Sequence, residues 1–295
     1  SAMWQRGRVG SWRGVVAMLV AGVLLAGCGG GDLPQTQITG RAAQRAVALA
    51  TYQAHRLALE AGWFALAQTA PSGFGLPAGV RADGFSWLVA APPAAGGTTW
   101  RVPLYTDARR QSRAGTLTFS LPAGARAQTT GGVTSWHYPS YPATARMRVE
   151  ISGGRRPLSG DVLVTWRSPG GAYDVGGTLR ASGEGLVVGL RQRAGSDRRV
   201  SLGTSARFGG ITVTPDLGAE GDGTVIAGPV RAQPFGWQGT MKVGPRPASP
   251  YDLSLAVRPG TLTAALSPAA DSLLITYPDA STQRISQPFW VVWSR

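Results

Sequence analysis

The chain has 295 residues, with 29 Lys and Arg against 15 Asp and Glu, and its formal net charge is +14. One cysteine and two histidines, His55 and His137, exclude an intrachain disulfide framework and argue against metal sites built from clustered ligands. We therefore predict no metal and no cofactor. All basic residues except Lys242 are arginines and asparagine is absent, so the composition indicates coding bias. The net charge alone does not indicate a polyanion partner.

The N-terminal segment has the pattern of an export signal. Three arginines precede an apolar run at 15–25, which at about eleven residues is too short for a spanning helix of about 20. The run ends in Leu25-Ala26-Gly27-Cys28, which resembles the lipobox of bacterial lipoproteins. The alternative is a buried free cysteine within an apolar helix. The resemblance covers this segment only, and we assign no family to the rest of the chain.

The resemblance implies a processed and lipidated chain. Residues 1–27 would be the cleaved signal peptide, and Cys28 would carry the acyl chains that anchor the protein to a membrane. Residues 28–40 are small and polar and are predicted to form a flexible tether. In this family an Asp after the cysteine favours the inner membrane, and Gly29 stands there instead. We therefore expect an exported protein in the cell envelope, on the outer membrane if the organism has one.

Residues 41–68 carry the long helical pattern of the chain. Apolar residues recur at three-, four- and seven-residue steps, and the segment has no proline. One interpretation is an amphipathic helix laid on a sheet. The other is an interfacial helix that inserts Trp63 and Phe64 into a membrane.

From residue 71 the pattern changes to short alternating runs separated by Gly, Pro and Asp, which is typical of half-buried antiparallel strands. The fold predicted for residues 41–295 is mainly β: an antiparallel sandwich, barrel-like or curved sheet with one N-terminal helix. A boundary within this part would fall near 216–223 or 244–251. Strands are predicted at 84–90, 99–105, 116–121, 133–138, 146–151, 162–167, 174–181, 185–192, 199–204, 210–214, 224–231, 236–243, 253–258, 261–266, 272–277 and 283–293.

Catalytic motifs of the common hydrolase classes are missing from the sequence. There is no G-x-S-x-G elbow, and the one cysteine is used by the lipobox. We expect His55 at the helix surface and give neither histidine a catalytic role. Asp216, Glu220 and Asp222 form the one local carboxylate cluster, which we interpret as a solvated loop. The sequence therefore predicts a protein that is not an enzyme.

Two groups of residues are candidates for binding. Trp136, His137, Tyr138 and Tyr141 could offer flat faces to a ligand, although alternate aromatic residues in a strand usually pack at the edge of a core. The arginine-rich stretches could hold anions such as lipid headgroups or envelope polysaccharide, and the alternative is a solvated surface without a specific ligand. Their candidate residues are Arg109, Arg110, Arg113, Arg191, Arg193, Arg198 and Arg199. No nucleic-acid motif occurs, and we expect no specific nucleic-acid binding.

These observations favour a membrane-anchored envelope lipoprotein with a structural, scaffolding or assembly role, partnered by an envelope protein or polysaccharide. The first alternative is a carrier that holds a lipid or another hydrophobic ligand under a curved sheet. The second is a hydrolase of cell-wall polymer. A continuous apolar cavity between helix and sheet would favour the carrier, and a filled core would favour the scaffold.

Overall fold

The computed structural model describes residues 38–74, 97–105, 111–131, 133–152, 157–182, 185–197, 199–220, 225–244, 251–267 and 272–286. These residues form one helix, α1 (Gly40–Thr69), followed by sixteen strands. The strands are β1 (Thr99–Tyr105), β2 (Arg113–Ser120), β3 (Arg126–Thr130), β4 (Val133–His137), β5 (Ala143–Ile151), β6 (Leu158–Trp166), β7 (Tyr173–Ala181), β8 (Leu186–Ala194), β9 (Val200–Phe208), β10 (Ile211–Glu220), β11 (Val225–Gln233), β12 (Trp237–Val243), β13 (Asp252–Val257), β14 (Gly260–Leu266), β15 (Ser272–Thr276) and β16 (Thr282–Ser286).

Fourteen of the described strands form a single antiparallel sheet. Its order is β1, β2 and then β5 to β16 in sequence, so that each strand pairs with its neighbour in the chain except across the separate β3–β4 hairpin. The two edge strands, β1 and β16, are not paired with each other, and the sheet stays open. The prediction of a mainly β antiparallel fold with one N-terminal helix is confirmed, in the form of one large curved sheet.

Alternation of burial explains why the strands form one layer with a core face. In β5, Ala143, Ala145, Met147, Val149 and Ile151 are buried and the residues between them are exposed. Successive side chains of a strand point to opposite faces, so this pattern places one apolar row on the core face and one charged row on the outer face. The other long strands repeat the pattern, and the sheet therefore has one solvated side.

Helix α1 lies against the core face of the sheet. It contacts the consecutive strands β5 to β10 as well as β14, and 18 of its 30 residues are buried. Trp63 and Phe64 are 1% and 0% exposed, because they pack inside the sheet. The interfacial interpretation of this helix is therefore wrong, and the interpretation of a helix on a sheet is correct.

Close approaches between strands at glycines allow the sheet to curve. A Cβ atom on Gly239 of β12 would lie 1.7 Å from the carbonyl oxygen of Ser254, and one on Gly228 of β11 would lie 1.9 Å from that of Asp216. No side chain fits at these distances. Glycine at these two positions lets neighbouring backbones come closer than any other residue would allow.

The ends of the strands define two rims. We call the end of the sheet where α1 begins the upper rim and the end where α1 finishes the lower rim. Near its start, α1 places the Arg41 guanidinium 4.1 Å above the ring of Tyr277, in the β15–β16 connection. Near its end, α1 meets Trp136 of β4 and Trp166 of β6. Strands β1, β5, β7, β9, β11, β13 and β15 run towards the upper rim, and their neighbours run back.

Several predicted elements need adjustment. Strand β3 was not predicted, because all five of its residues are exposed and show no alternation. Strand β10 continues through Asp216 to Glu220, so the first predicted boundary at 216–223 begins inside a strand that pairs with β11. The second, 244–251, lies between the paired strands β12 and β13. The predicted strand at 84–90 lies outside the described residues, as does 287–293 of the last one.

Candidate functional site

The aromatic segment of β4 closes the C-terminal end of α1. The Trp136 indole Nε1–H donates to the carbonyl of Gln68 at 3.0 Å, and the Trp136 backbone N–H donates to the carbonyl of Ala70 at 2.9 Å. The Tyr138 hydroxyl donates to the carbonyl of Thr69 at 2.5 Å. The last carbonyls of a helix have no intrahelical donor, and these three bonds supply one to each of three consecutive residues.

Further aromatic residues surround this end of the helix. The Trp166 indole donates to the Thr69 hydroxyl at 3.2 Å, and that hydroxyl donates to the carbonyl of Ala65 at 2.8 Å. The ring of Phe74 lies edge-on to Trp166, with 4.6 Å between centroids. Burial raises the pKa of Tyr138, so its hydroxyl keeps the proton that it donates. The lower rim is therefore closed by packed rings whose polar atoms are bonded to the helix.

The four residues of the predicted ligand platform do not share an exposed surface. Trp136 and Tyr138 are 2% and 8% exposed and belong to the core. His137 lies on the other side of β4, where its Nε2 bonds to the side-chain oxygen of Gln128. Tyr141 is half-buried and stands edge-on to Tyr138 at 5.9 Å. For Trp136 and Tyr138, packing is the interpretation that the structure supports.

His55 is buried, contrary to the expectation of a surface position. Its side chain lies within the core, and neither ring nitrogen has a hydrogen-bond partner. Its neighbours include Tyr251, with 6.3 Å between ring centroids. Desolvation, assisted by the charge of Arg56, lowers the pKa of His55 to about 3. The imidazole is therefore neutral at physiological pH. The helical pattern did not reveal this burial, because the sheet encloses more of the helix than one apolar face.

The candidate anion-binding arginines are separated by the fold. Arg113 lies at the upper rim, at the start of β2, and Arg199 lies at the lower rim, before β9. Arg191 and Arg193 are exposed on the outer face of β8. Arg109, Arg110 and Arg198 lie outside the described residues. The structure thus does not bring the described members of the two stretches together.

Much of the charge on the lower part of the sheet is locally balanced. The Asp174 carboxylate on β7 pairs with Arg193 at 2.9 Å and also accepts a hydrogen bond from Arg167 Nε at 2.6 Å. Arg199 pairs with Asp197 at 3.7 Å. These arginines therefore have carboxylate partners and do not form a free anion site.

The predicted carboxylate cluster is spread along a strand. Asp216 and Glu220 both lie on β10, and Glu220 pairs with Lys242 at 3.4 Å. Four residues of a strand separate their Cα atoms by about 13 Å. The carboxyl pairs of glycosidases are about 5 to 9.5 Å apart. Asp222 lies outside the described residues.

Two open clefts lie at the rims. One, of about 540 Å³ at the upper rim, is lined by both polar and apolar residues, among them Arg113, Glu150 and Leu158. The other, of about 420 Å³, lies at the lower rim between the end of α1 and the β3–β4 hairpin, beside Phe74 and Gln128. Neither is lined by the buried middle of α1.

Cys28 and the whole export segment lie outside the described residues. Within the described ranges, no group of three or more His, Cys, Asp or Glu side chains could hold a metal ion. No helix among these residues combines the length and the mean hydropathy needed to cross a membrane. Comparison with known proteins gave no match, whether with family models, with curated proteins or with solved structures.

Proposed function

We propose that the protein is an exported lipoprotein, anchored in the cell envelope through acyl chains on Cys28, and that its β-rich domain has a structural or assembly role without catalysis. The order of arginines, apolar run and Leu25-Ala26-Gly27-Cys28 supports the anchor. The observation that carries the second part is that the curved sheet is occupied by the chain's own helix. The domain thereby forms a self-filled body with a large exposed outer face.

The contact between α1 and the sheet supports a scaffold over a carrier. A Cβ atom on Gly62 would lie 2.8 Å from the side-chain oxygen of Gln192 on β8, so helix and strand are in direct contact there. The Gln192 amide is itself buried and donates to the Tyr173 hydroxyl at 3.1 Å. A carrier would need a site of roughly 300 to 1,000 Å³ for a small molecule. On the core face of the sheet, the middle of α1 occupies the space where such a site would lie.

The outer face offers the surface that an assembly role needs. Leu163 of β6 is 46% exposed and is flanked by Arg146 on β5 and by Gly176 on β7. Among the described residues it is the large apolar side chain with that degree of exposure. We therefore expect partner proteins to contact the sheet at this side of the domain.

Two experiments test the proposal. Cells that express the parent or Cys28→Ser are labelled with a radioactive fatty acid, and Gly29→Ala serves as the control that keeps the thiol. Label in the parent and the control but not in Cys28→Ser is the expected result, and equal label in all three would disprove the anchor.

The scaffold role is tested by crosslinking in cells. A photoreactive amino acid replaces Leu163, and the matched control places it at Thr240 on the outer face of β12. Protein adducts at Leu163 in excess of those at Thr240 support an assembly surface. A lipid co-purifying in equal molar amount with the protein, in addition to the anchor, would favour the carrier instead.

A further inference from the structure

The charged side chains of the described residues are distributed unequally between the two rims. In the first two turns of α1, in the upper third of the strands and in the upper connections there are seven basic residues: Arg41, Arg45, Arg113, Arg180, Arg207, Arg231 and Arg258. The same region holds two carboxylates, Glu150 and Asp279. The corresponding lower region holds five basic residues, Arg126, Arg167, Arg193, Arg199 and Lys242, and four carboxylates, Asp174, Asp197, Glu220 and Asp252. The upper rim therefore carries the excess of positive charge.

Four of the upper arginines form a regular row. Arg180, Arg207, Arg231 and Arg258 belong to β7, β9, β11 and β13, the successive strands that run towards this rim. Alternate strands are about 10 Å apart, so the row extends over about 30 Å. All four side chains are exposed, and within the described structure no carboxylate lies within ion-pair distance of any of them.

The start of α1 adds positive potential at the same rim. Its first turn has no acidic residue, and the Thr39 side chain makes no capping hydrogen bond. The free N–H groups of a helix N-terminus carry roughly half a positive charge. Among the described residues near this helix end, Asp279 pairs with Arg41 at 3.7 Å, while both side chains stay more than half exposed.

Half-exposed aromatic side chains accompany these arginines. Phe235 in the β11–β12 connection stacks at 4.4 Å on Trp237, the first residue of β12, and both are partly buried against the core. Phe208, at the end of β9, is also partly buried. Tryptophan is enriched where proteins meet the headgroup region of a membrane. At the lower rim, Trp136 and Trp166 are fully buried and bonded to α1.

The predicted position of the acyl anchor on Cys28 indicates that the partner of the upper rim is a membrane. Ile38, at the upper rim, is ten positions after Cys28 in the sequence, with nine residues between them. If the predicted tether is a flexible chain, it would span about 17 Å on average and at most about 35 Å. The end of α1, which meets the lower rim, is farther away by the length of the helix, about 45 Å. An anchor on Cys28 therefore keeps the upper rim beside the membrane.

We propose that the upper rim docks on anionic lipid headgroups of the membrane that holds the anchor. The arginine row pairs with phosphates, and Phe235 and Trp237 enter the headgroup layer. In this orientation α1 stands steeply on the membrane, the lower rim points away from it, and the part of the outer face below the arginine row is directed sideways. The inference rests on the proposed lipid anchor.

The test uses the mature lipidated protein in two kinds of vesicle, one of phosphatidylcholine alone and one that also contains about one third phosphatidylglycerol. The second kind has an anionic surface, and each Arg close to such a surface adds attraction. A headgroup-linked nitroxide quenches a fluorophore on one introduced cysteine, Ser182→Cys at the upper rim or Ser196→Cys at the lower. We expect anionic lipid to increase quenching at the upper position and not at the lower. High salt should abolish the increase.

Two triple variants with the same change in net charge decide the outcome. The first variant carries Arg180→Glu, Arg207→Glu and Arg231→Glu, and it should lose the increase in quenching. The control carries the same change from Arg to Glu at Arg101, Arg126 and Arg191, which are exposed and lie in the lower half of the molecule. The control should retain the increase. Equal losses in both, or equal quenching at both labelled positions, would overturn the docking surface. The acylated Cys28 thiol does not react with maleimide, so labelling of the parent without an added cysteine would overturn the anchor and, with it, the inference.

Discussion

The buried imidazole of His55 makes the stability of this protein depend on pH in a predictable way. The side chain is enclosed within the core, with no hydrogen-bond partner at either nitrogen, and Tyr251 is one of its aromatic neighbours. Protonation would place a charge in the core without compensation. We therefore compare the parent with His55→Leu, which keeps an apolar side chain of moderate size at this position.

The direction of the pH effect on stability follows from the pKa of His55 in the unfolded chain and in the folded chain. Burial lowers the pKa of His55 from 6.5 to about 3, so between these values the unfolded chain binds a proton that the folded chain does not. The free energy of unfolding is unaffected by this group above pH 6.5 and falls as the pH drops below that value. At pH 5 the loss is about 2 kcal/mol. His55→Leu removes this loss, and because it also removes two buried polar atoms it should not destabilise the protein strongly at pH 7.

Urea unfolding at pH 7 and pH 5 measures the effect, and His137→Leu is the matched control at the exposed histidine. With a slope of about 3 kcal/mol/M, the parent midpoint should fall by about 0.7 M between the two pH values. The control should fall like the parent, and His55→Leu should fall much less. An equal fall in all three proteins would refute the assignment of the acid sensitivity to His55.

The remaining predictions concern the helix end, the sheet and the content of secondary structure. Tyr138→Phe leaves the Thr69 carbonyl without its donor and should lower the free energy of unfolding by about 1 to 3 kcal/mol. Tyr141→Phe should lower it little, and thermal unfolding of both variants measures the difference. Gly239→Ala forces a Cβ against the Ser254 carbonyl and should lower the free energy of unfolding by about 3 kcal/mol. The control Gly218→Ala meets open space and should lower it little, so equal urea midpoints for the two variants would contradict this prediction. Far-UV circular dichroism should show a β-dominated spectrum with about a tenth helix, and a helix content near ~30% would contradict the fold.

Period-two patterns predicted most of the sheet, because one face of nearly every strand is buried by the core. Arg146 to Ile151 alternates strictly, and the corresponding strand β5 has that alternation. Strand β3 has five exposed residues and gave no such signal. The number of strands in one sheet and its curvature could not be predicted. They depend on contacts such as Gly239 with Ser254, which join different strands.

The candidate sites were harder to predict, because their residues meet through the fold. Trp136 and Tyr138 find their partners 68 and 69 positions away in the chain, at the end of α1. The four arginines of the row, Arg180, Arg207, Arg231 and Arg258, are spaced about 24 to 27 residues apart, one for every second strand, and no local cluster reveals them. Arg113 and Arg199, which belong to arginine clusters in the sequence, lie at opposite rims. Proximity in sequence was therefore a poor guide to shared surfaces.

Native mass spectrometry of the protein isolated from its own membranes tests the central claim most directly. The account predicts a chain that begins at Cys28, carries covalent acyl chains and holds no further lipid, because α1 occupies the core face of the sheet. A chain that begins elsewhere without acylation would contradict the anchor. A second, non-covalent lipid bound in equal molar amount would contradict the self-filled scaffold.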